Sequence, residues 1–471
     1  MNRSDKCRRR NWLAVAVGIA VAAPAIGLVA SPAQAALTSR VLEANGDLVL
    51  RANNVSTSVG VGYWNDRIRV AQAGGATTEY PTNQVRRVVF HGGTGNDSLN
   101  ASSMRIPVVA YGNGGNDTLI GGSAADYLNG GTGSDTLRGN GGDDTIVAID
   151  NGTSDTVVGG SGRDAIWTDV SGGRRDAISD LRAEDMNNAV SSFFNGADRT
   201  LNGDSIADPT TTGGRTYARF SGRPLFGNSG PSGRDVRQGG LGNCKTMSAL
   251  SALPHNTVSG NAWPVRSRMV DFGDNTFGVR LGNRYVRIDA DLPVGNAATG
   301  ATAANVSYGK LGPNESLWVA LAEKAMAYDQ SPVGAPDYAS LNRSGSQHVF
   351  AAFGSSSTGT PLINSFASSA TDLGNKLYQR WNSYQNVTIS LVGGHTTGLP
   401  GGHAYTVWQV RRNAAGTVTA LVLRNPWGND VGSGNPGYPD DGNTQDGIVT
   451  VTPAQVWSGN GSRINWGTRI N

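Results

Sequence analysis

Three residues, in chain order a cysteine, a histidine and an asparagine, stand in settings that suit acyl-transfer chemistry. Cys244 ends the run Asp235-Val-Arg-Gln-Gly-Gly-Leu-Gly-Asn-Cys244 and opens Cys244-Lys-Thr-Met-Ser-Ala-Leu-Ser-Ala-Leu253. The first stretch reads as a glycine loop and the second as a helix, with Met247, Leu250 and Ser251 on one face. Cys244 is therefore expected at a helix N-terminus, where the dipole favours a thiolate. Gln238, earlier in the same loop, is placed to lend its side-chain amide to an oxyanion. His403 opens the alternating run His403-Ala-Tyr-Thr-Val-Trp408, and Asn425 ends the apolar run Leu421-Val-Leu-Arg-Asn425, with Trp427 just beyond. A thiol peptidase needs a thiolate, an imidazole to share its proton and serve the leaving amine, and a group that orients the imidazole.

Taken singly, each residue has a plainer use. Cys244 could be a small buried apolar side chain, His403 a strand histidine, Asn425 before Pro426 a turn former, and Trp427 core. The other histidines lack such a context: His91 opens a repeat, His255 follows Pro254, and His348 lies in an apolar segment. His395, in a glycine-rich turn shortly before His403, is the nearest rival.

The solitude of Cys244 adds weight. The chain has two cysteines, Cys7 and Cys244. Residues 1–35 read as a cleaved export signal: Arg8-Arg9-Arg10, an apolar run from Leu13 to Ala30, and the small-residue cleavage site Ala33-Gln34-Ala35. Arg9-Arg10-Asn11-Trp12-Leu13 loosely resembles a twin-arginine signal. Cys7 leaves with this segment, so the exported chain would keep one thiol where structural cysteines are normally paired. Loss of five basic residues and one acidic takes the formal charge from +3 to about −1. That removes the reason to invoke nucleic acid as a partner. No other stretch is apolar enough for a transmembrane anchor.

The elements that would carry this chemistry fall in two halves. Four nine-residue units run in phase from Gly112 to Val147. Their sixth place is always aspartate (Asp117, Asp126, Asp135, Asp144) and their eighth always aliphatic (Leu119, Leu128, Leu137, Ile146). A degenerate unit with Asp97 precedes them, and Asp155 and Asp164 follow after a two-residue slip. Asp176 and Asp180 look like a fading last turn. Each unit reads as a glycine turn with bare carbonyls, a hard charged oxygen and a short strand with one inward side chain. Two units make one coil, which pairs Asp117 with Asp135 and Asp126 with Asp144 in two columns of calcium ions. A flexible Gly/Asn/Ser linker would not hold this register. The pattern resembles the RTX calcium-binding repeat. Residues 37–90 read as irregular strands that start the solenoid, and Asn187 to Phe194 as a short helix.

Residues 206–471 resemble the catalytic domain of the calpain family of papain-fold cysteine peptidases. The resemblance lies in Asp235-Val-Arg-Gln-Gly-Gly-Leu-Gly-Asn-Cys244, Gly402-His-Ala-Tyr405 and Leu423-Arg-Asn-Pro-Trp-Gly428. Supporting matches are a strand, Val286-Arg-Ile-Asp-Ala-Asp-Leu-Pro293; an amphipathic helix, Asn314 to Ala325; and a closing strand and helix around Asp446-Gly447 and Val456-Trp457. The resemblance implies Cys244 as nucleophile, His403 as base, Asn425 as orienter and Gln238 as oxyanion donor, with Trp427 shielding the His–Asn hydrogen bond. It departs at Lys245, where the family usually has tryptophan, and this leaves open an inactive peptidase.

The expected architecture is multidomain. Residues 1–35 are the signal, 36–180 an RTX-like parallel β-roll, 181–205 a linker and 206–471 an α+β, papain-like, two-lobed peptidase domain. The expected activity is secreted, calcium-dependent cysteine endopeptidase action on a protein or peptide substrate. Asp97, Asp117, Asp126, Asp135, Asp144, Asp155 and Asp164 are the expected calcium ligands. Two other readings stay open: an adhesion or matrix protein with a dead thiol domain, and a transglutaminase-like acyltransferase. The latter usually takes aspartate where Asn425 stands.

Overall fold

The glycine–aspartate units wind into a β-solenoid of about five turns over residues 88–190, with a mixed α/β domain after it. The computed structural model describes residues 37–171, 174–200, 203, 206–255, 262–295, 301–356, 359–392, 396–430, 445–459 and 461–469. The expected export segment and His395 lie outside these residues. The described residues belong to one unit, Ala35–Asn471.

The repeat length sets the register of the roll. Tyr127 pairs in parallel with Thr145, and Thr118 with Thr136, a step of 18 residues. After the two-residue slip the step becomes 20, as Thr136 pairs with Thr156 and Thr145 with Ala165. The aliphatic eighth positions point inward and stack in two fully buried columns, Leu99, Leu119, Leu137 and Val157 on one sheet and Leu128, Ile146 and Ile166 on the other, which share one core. At the N-terminal end, Asp47–Arg51 pairs in parallel with Arg87–His91, and Ser58–Trp64 with Ser98–Asn100. Between them, Ser58–Trp64, Arg67–Gln72 and Thr78–Pro81 form an antiparallel meander that closes the sheet edge.

The expected helix at Asn187–Phe194 is not formed. Met186–Val190 is a strand, parallel to Ala165–Ser171, and adds one more rung to the roll. The open edge of Ala165–Ser171 takes it up, and the burial then alternates as in a strand: Asn188 and Val190 are buried while their neighbours are partly exposed. The roll therefore runs past residue 180, and the segment expected as a linker, 181–205, contains a strand.

The second domain has two cores. The first is built around helix α1 (Cys244–His255), helix α2 (Trp318–Gln330) and the antiparallel sheet Met269–Asp271, Thr276–Leu281, Arg284–Asp289. The second lines a five-stranded antiparallel sheet, in the order Ile448–Val451, Val418–Arg424, His403–Arg412, Asn386–Leu391, Arg463–Gly467, against helix α3 (Ala370–Asn382). Helix α2 begins four residues later than the expected 314–325 helix and is not amphipathic: every residue from Trp318 to Tyr328 is buried. Its Lys324 is accommodated by ion pairs to Asp208 (2.5 Å) and Asp289 (2.6 Å). Among the described residues no helix is long and apolar enough to cross a membrane.

A separate apolar cluster joins the roll to this domain. Val147, Ile149, Trp167 and Val190 on the outer face of the roll pack on Val270 and Phe272 of the first-lobe sheet. Polar contacts frame it: Asn129 Nδ2 donates to the Phe272 carbonyl (2.8 Å), Asn188 Nδ2 to the Ser267 carbonyl (3.0 Å), and Arg280 Nη1 to the Asn187 carbonyl (3.1 Å).

Candidate active site and calcium columns

Cys244 is the first residue of α1, half-buried. The loop before it is held on several sides. The Asp235 carboxylate accepts from Trp318 Nε1 (2.7 Å) and the Ser232 N–H (2.8 Å). The Gly240 N–H donates to the Ser307 carbonyl (2.8 Å). A Cβ at Gly239 would stand 2.2 Å from the Tyr308 carbonyl oxygen, so this close approach needs glycine. Two contacts bind the loop to the second lobe: the Gln238 N–H donates to the Pro426 carbonyl (2.7 Å), and buried Arg424 Nη2 donates to the Val236 carbonyl (2.7 Å). The loop that carries the thiol is thus fixed to the strand that ends at Asn425. A glance at the sequence misses Arg424, because an arginine in an apolar strand carries no signal of its own.

His403 is the first residue of its strand, buried, and its ring Nε2 lies 3.0 Å from Asn425 Oδ1. The Trp427 backbone N–H donates to the same oxygen (3.0 Å). A backbone N–H can only donate, so the atom facing the ring is the amide oxygen, and Nε2 carries the proton. Nδ1 of the neutral ring is then the free base. The Trp427 ring lies on the imidazole at 4.2 Å, and Tyr405 meets it edge-on at 5.0 Å. The backbone N–H of Ala404, next to His403, is close enough to the Cys244 sulfur to favour its thiolate.

Burial overrides the expected activation of the resting thiol. It pushes the Cys244 thiol above its ordinary value, although the Ala404 N–H, the Lys245 charge and the first N–H groups of α1 pull the other way. Burial also holds His403 below its ordinary value against the opposing hydrogen bond to Asn425. Both shifts favour the neutral thiol–imidazole pair over the ion pair. Lys245 is exposed. Gln238 Nε2 donates to the Leu241 carbonyl (2.6 Å) within its own loop, and one amide hydrogen remains for an oxyanion.

In the roll, the aspartates form two columns. The Asp97 N–H donates to Asp117 Oδ1 (2.6 Å), Asp117 N–H to Asp135 Oδ1 (2.7 Å), and Asp135 N–H to Asp155 Oδ1 (2.8 Å). In the other column, Asp126 N–H donates to Asp144 Oδ1 (2.8 Å) and Asp144 N–H to Asp164 Oδ1 (3.0 Å). Both columns run further than the nonapeptide count reaches, to Asp176 Oδ1 (3.1 Å from Asp155 N) and Asp185 Oδ1 (3.0 Å from Asp164 N). Asp185 escaped the sequence reading because the last coil lengthens to 21 residues, as Ala165 pairs with Met186.

The second oxygens supply the test of a cation. Oδ2 of Asp117, Asp135, Asp144, Asp155 and Asp164 is buried without a hydrogen-bond donor. Asp97 and Asp126, which start the columns, instead take the Gly93 and Gly122 N–H groups at 2.7 and 2.5 Å. Bare glycine carbonyls face the same space: a Cβ at Gly112 would stand 2.2 Å from Asp117 Oδ2 and 2.3 Å from the Gly130 carbonyl. Orphaned hard oxygens beside carbonyls fit calcium. No group of three His, Cys, Asp or Glu side chains that could hold a metal occurs among the described residues. A cation there would need the glycine carbonyls as further ligands. Burial and the neighbouring carboxylates push Asp144 and Asp155 up to about 9 and Asp117 to about 8. Burial also brings Asp126, Asp135 and Asp164 to about 6.

Residues 214–437 match the family model described as calpain family cysteine protease. Residues 89–103 and 111–146 match the model of the RTX calcium-binding nonapeptide repeat (4 copies). A search of curated proteins found no match.

Proposed function

We propose that this chain, which joins RTX calcium-binding nonapeptide repeats to a calpain-family cysteine protease domain, is a secreted, calcium-dependent cysteine endopeptidase. The observation that carries the reading is the hydrogen bond from His403 Nε2 to Asn425 Oδ1 at 3.0 Å, covered by Trp427 and set beside the start of α1. It fixes the tautomer that presents Nδ1 as the base.

His403 Nδ1 takes the proton of Cys244 as the sulfur attacks the scissile carbonyl carbon. The charge on the carbonyl oxygen meets the N–H groups at the start of α1 and the free amide hydrogen of Gln238. The imidazolium, stabilised by Asn425, protonates the leaving amine, and the C–N bond breaks to give the thioester. His403 then deprotonates a water that attacks the thioester and restores the thiol. In the roll, Asp117, Asp135, Asp155, Asp144 and Asp164 with the glycine carbonyls would hold calcium, which supplies positive charge to otherwise unpartnered carboxylates. The outer face of the roll supports the first-lobe sheet, and this is the physical route from calcium to the peptidase.

A peptide epoxide should label Cys244, and casein should be cleaved in calcium but poorly in chelator. Intact protein mass that stays unlabelled, with casein uncut, would leave a dead thiol domain on a calcium-binding scaffold. Gln238→Ala should lower kcat by ~10²–10³ with little change in KM, because its amide meets charge that exists only in the tetrahedral intermediate. A change confined to KM would make Gln238 a substrate-binding or packing residue.

A further inference from the structure

Glu323 is the least expected charge in the first lobe. It sits mid-way along α2, 1 % exposed, inside the lobe's apolar core. The adjacent Lys324 is engaged by Asp208 and Asp289, and no ion pair reaches Glu323 among the described residues. Burying an unpaired carboxylate is costly, and burial pushes this one up to about 7. Two donors meet it. The Gly309 N–H bonds Oε2 (2.7 Å), and Asn243 Nδ2 bonds Oε1 (2.7 Å). A Cβ at Gly309 would stand 2.9 Å from Oε2, so the chain is drawn in to reach it.

Asn243 directly precedes the thiol. Its carbonyl accepts the Met247 N–H (3.1 Å), the first bond of α1, which makes Asn243 the N-cap. An asparagine there ordinarily turns its Oδ1 onto the N–H of the second or third helical residue, here Lys245 or Thr246. It does not do so in this structure. The NH2 end of the amide is turned onto Glu323 instead, and Asn243 Oδ1 is left buried without a donor. Meanwhile the Lys245 N–H, which a normal cap would claim, is one of the groups that pull the Cys244 thiol down towards its thiolate form.

We propose that Glu323 is a positioning residue for Cys244: by holding the Asn243 amide it keeps that side chain from capping α1, and so leaves the Lys245 N–H to the thiolate. The helix forgoes a cap so that its dipole end and its free donor serve the sulfur. The inference rests on Cys244 being the reactive thiol. Its test is separate from the peptidase reading, because it follows the thiol itself.

The readout is the rate of iodoacetamide alkylation at Cys244 in the full chain near pH 7, followed by peptide mass spectrometry, with kcat and KM measured in parallel. Glu323→Leu frees Asn243 to cap the helix, and alkylation and kcat should each fall about tenfold with KM little changed. Glu323→Gln can accept from Gly309 and donate to a turned Asn243 amide, so it should stay within about threefold of the native rate. Asn243→Ala on the Glu323→Leu background removes the competing cap and should restore the rate. A pure charge effect has the opposite sign: loss of a nearby carboxylate would favour the thiolate and speed alkylation in both Glu323 variants, which would overturn the proposal. Should Glu323→Leu fail to fold, two shorter side chains decide. Asn243→Ser caps helices but cannot reach Glu323, so it should slow alkylation about tenfold, while Asn243→Ala should not. Equal rates in the serine and alanine variants would overturn the inference. Peptidase activity that survives Cys244→Ala would instead sink the proposed function and leave the alkylation result standing.

Discussion

Replacing Cys244 by alanine should abolish peptide hydrolysis, and His403→Ala should lose at least ~10³ in turnover, because a nucleophile and its base act as one unit. The same loss is expected from either change alone or from both together. Asn425→Ala should cost less, on the order of 10–10² in kcat. It removes the acceptor 3.0 Å from His403 Nε2 but leaves Trp427 against the ring, so the imidazole is loosened rather than lost. The measurement is hydrolysis of a fluorogenic peptide, with melting curves to confirm that each variant folds. Normal turnover in Cys244→Ala or Cys244→Ser would remove Cys244 from the chemistry. An Asn425→Ala loss as large as that of His403→Ala would mean that Asn425 does more than orient.

The parts of this arrangement that were legible in the sequence are those written into local spacing. The roll could be read because nine residues make half a coil, so Asp117 and Asp135 must fall in one column and Leu119 and Leu137 in one core. The start of α1 at Cys244 could be read because glycines end abruptly there and helix formers begin. The strand at Met186–Val190 was misread because Asn187 to Phe194 mixes polar and apolar residues without a clear period. What decides it is the open edge of Ala165–Ser171, a tertiary fact. The fully buried α2 was misread for the same reason. Glu323 and Lys324 mark a solvated face in an isolated helix, and only the positions of Asn243, Gly309, Asp208 and Asp289, far away in the chain, allow both to be buried. In the sequence the thiol pKa can be judged only from the helix dipole and the neighbouring Lys245 charge. The structure adds burial, which local sequence does not report and which pushes the thiol the other way.

Withdrawing calcium should unfold the roll, and the effect should grow with pH. The raised carboxyls set the sign. A group whose folded pKa lies above its unfolded value of about 3.9 stabilises the fold at low pH, and that stability is lost as pH rises through the folded value. For Asp126, Asp135 and Asp164 the loss runs from about pH 4 to about 6, and for Asp117, Asp144 and Asp155 on to about 8–9. In chelator the melting temperature of the roll should therefore fall steadily between pH 5 and pH 9. Calcium binds the ionised oxygens, so in its presence that fall should flatten, and uptake near neutral pH should release protons. With a Kd of ~10⁻⁴ M and about 1 mM calcium, one site contributes roughly 1.4 kcal/mol. Four cooperating sites would add on the order of 5 kcal/mol, comparable to the whole stability of a small domain. At sub-micromolar calcium the same sites add almost nothing, so the roll would fold after export rather than before it. Loss of the roll also uncovers Val270 and Phe272, which pack on Val147, Ile149 and Trp167, so peptidase activity should fall with the β signal rather than separately from it. Circular dichroism and melting of the full chain in calcium and in chelator, from pH 5 to 9, read both effects. Equal β content in the two conditions, with a melting temperature that does not fall with pH in chelator, would show that the apolar core alone holds the roll and that calcium is incidental to it.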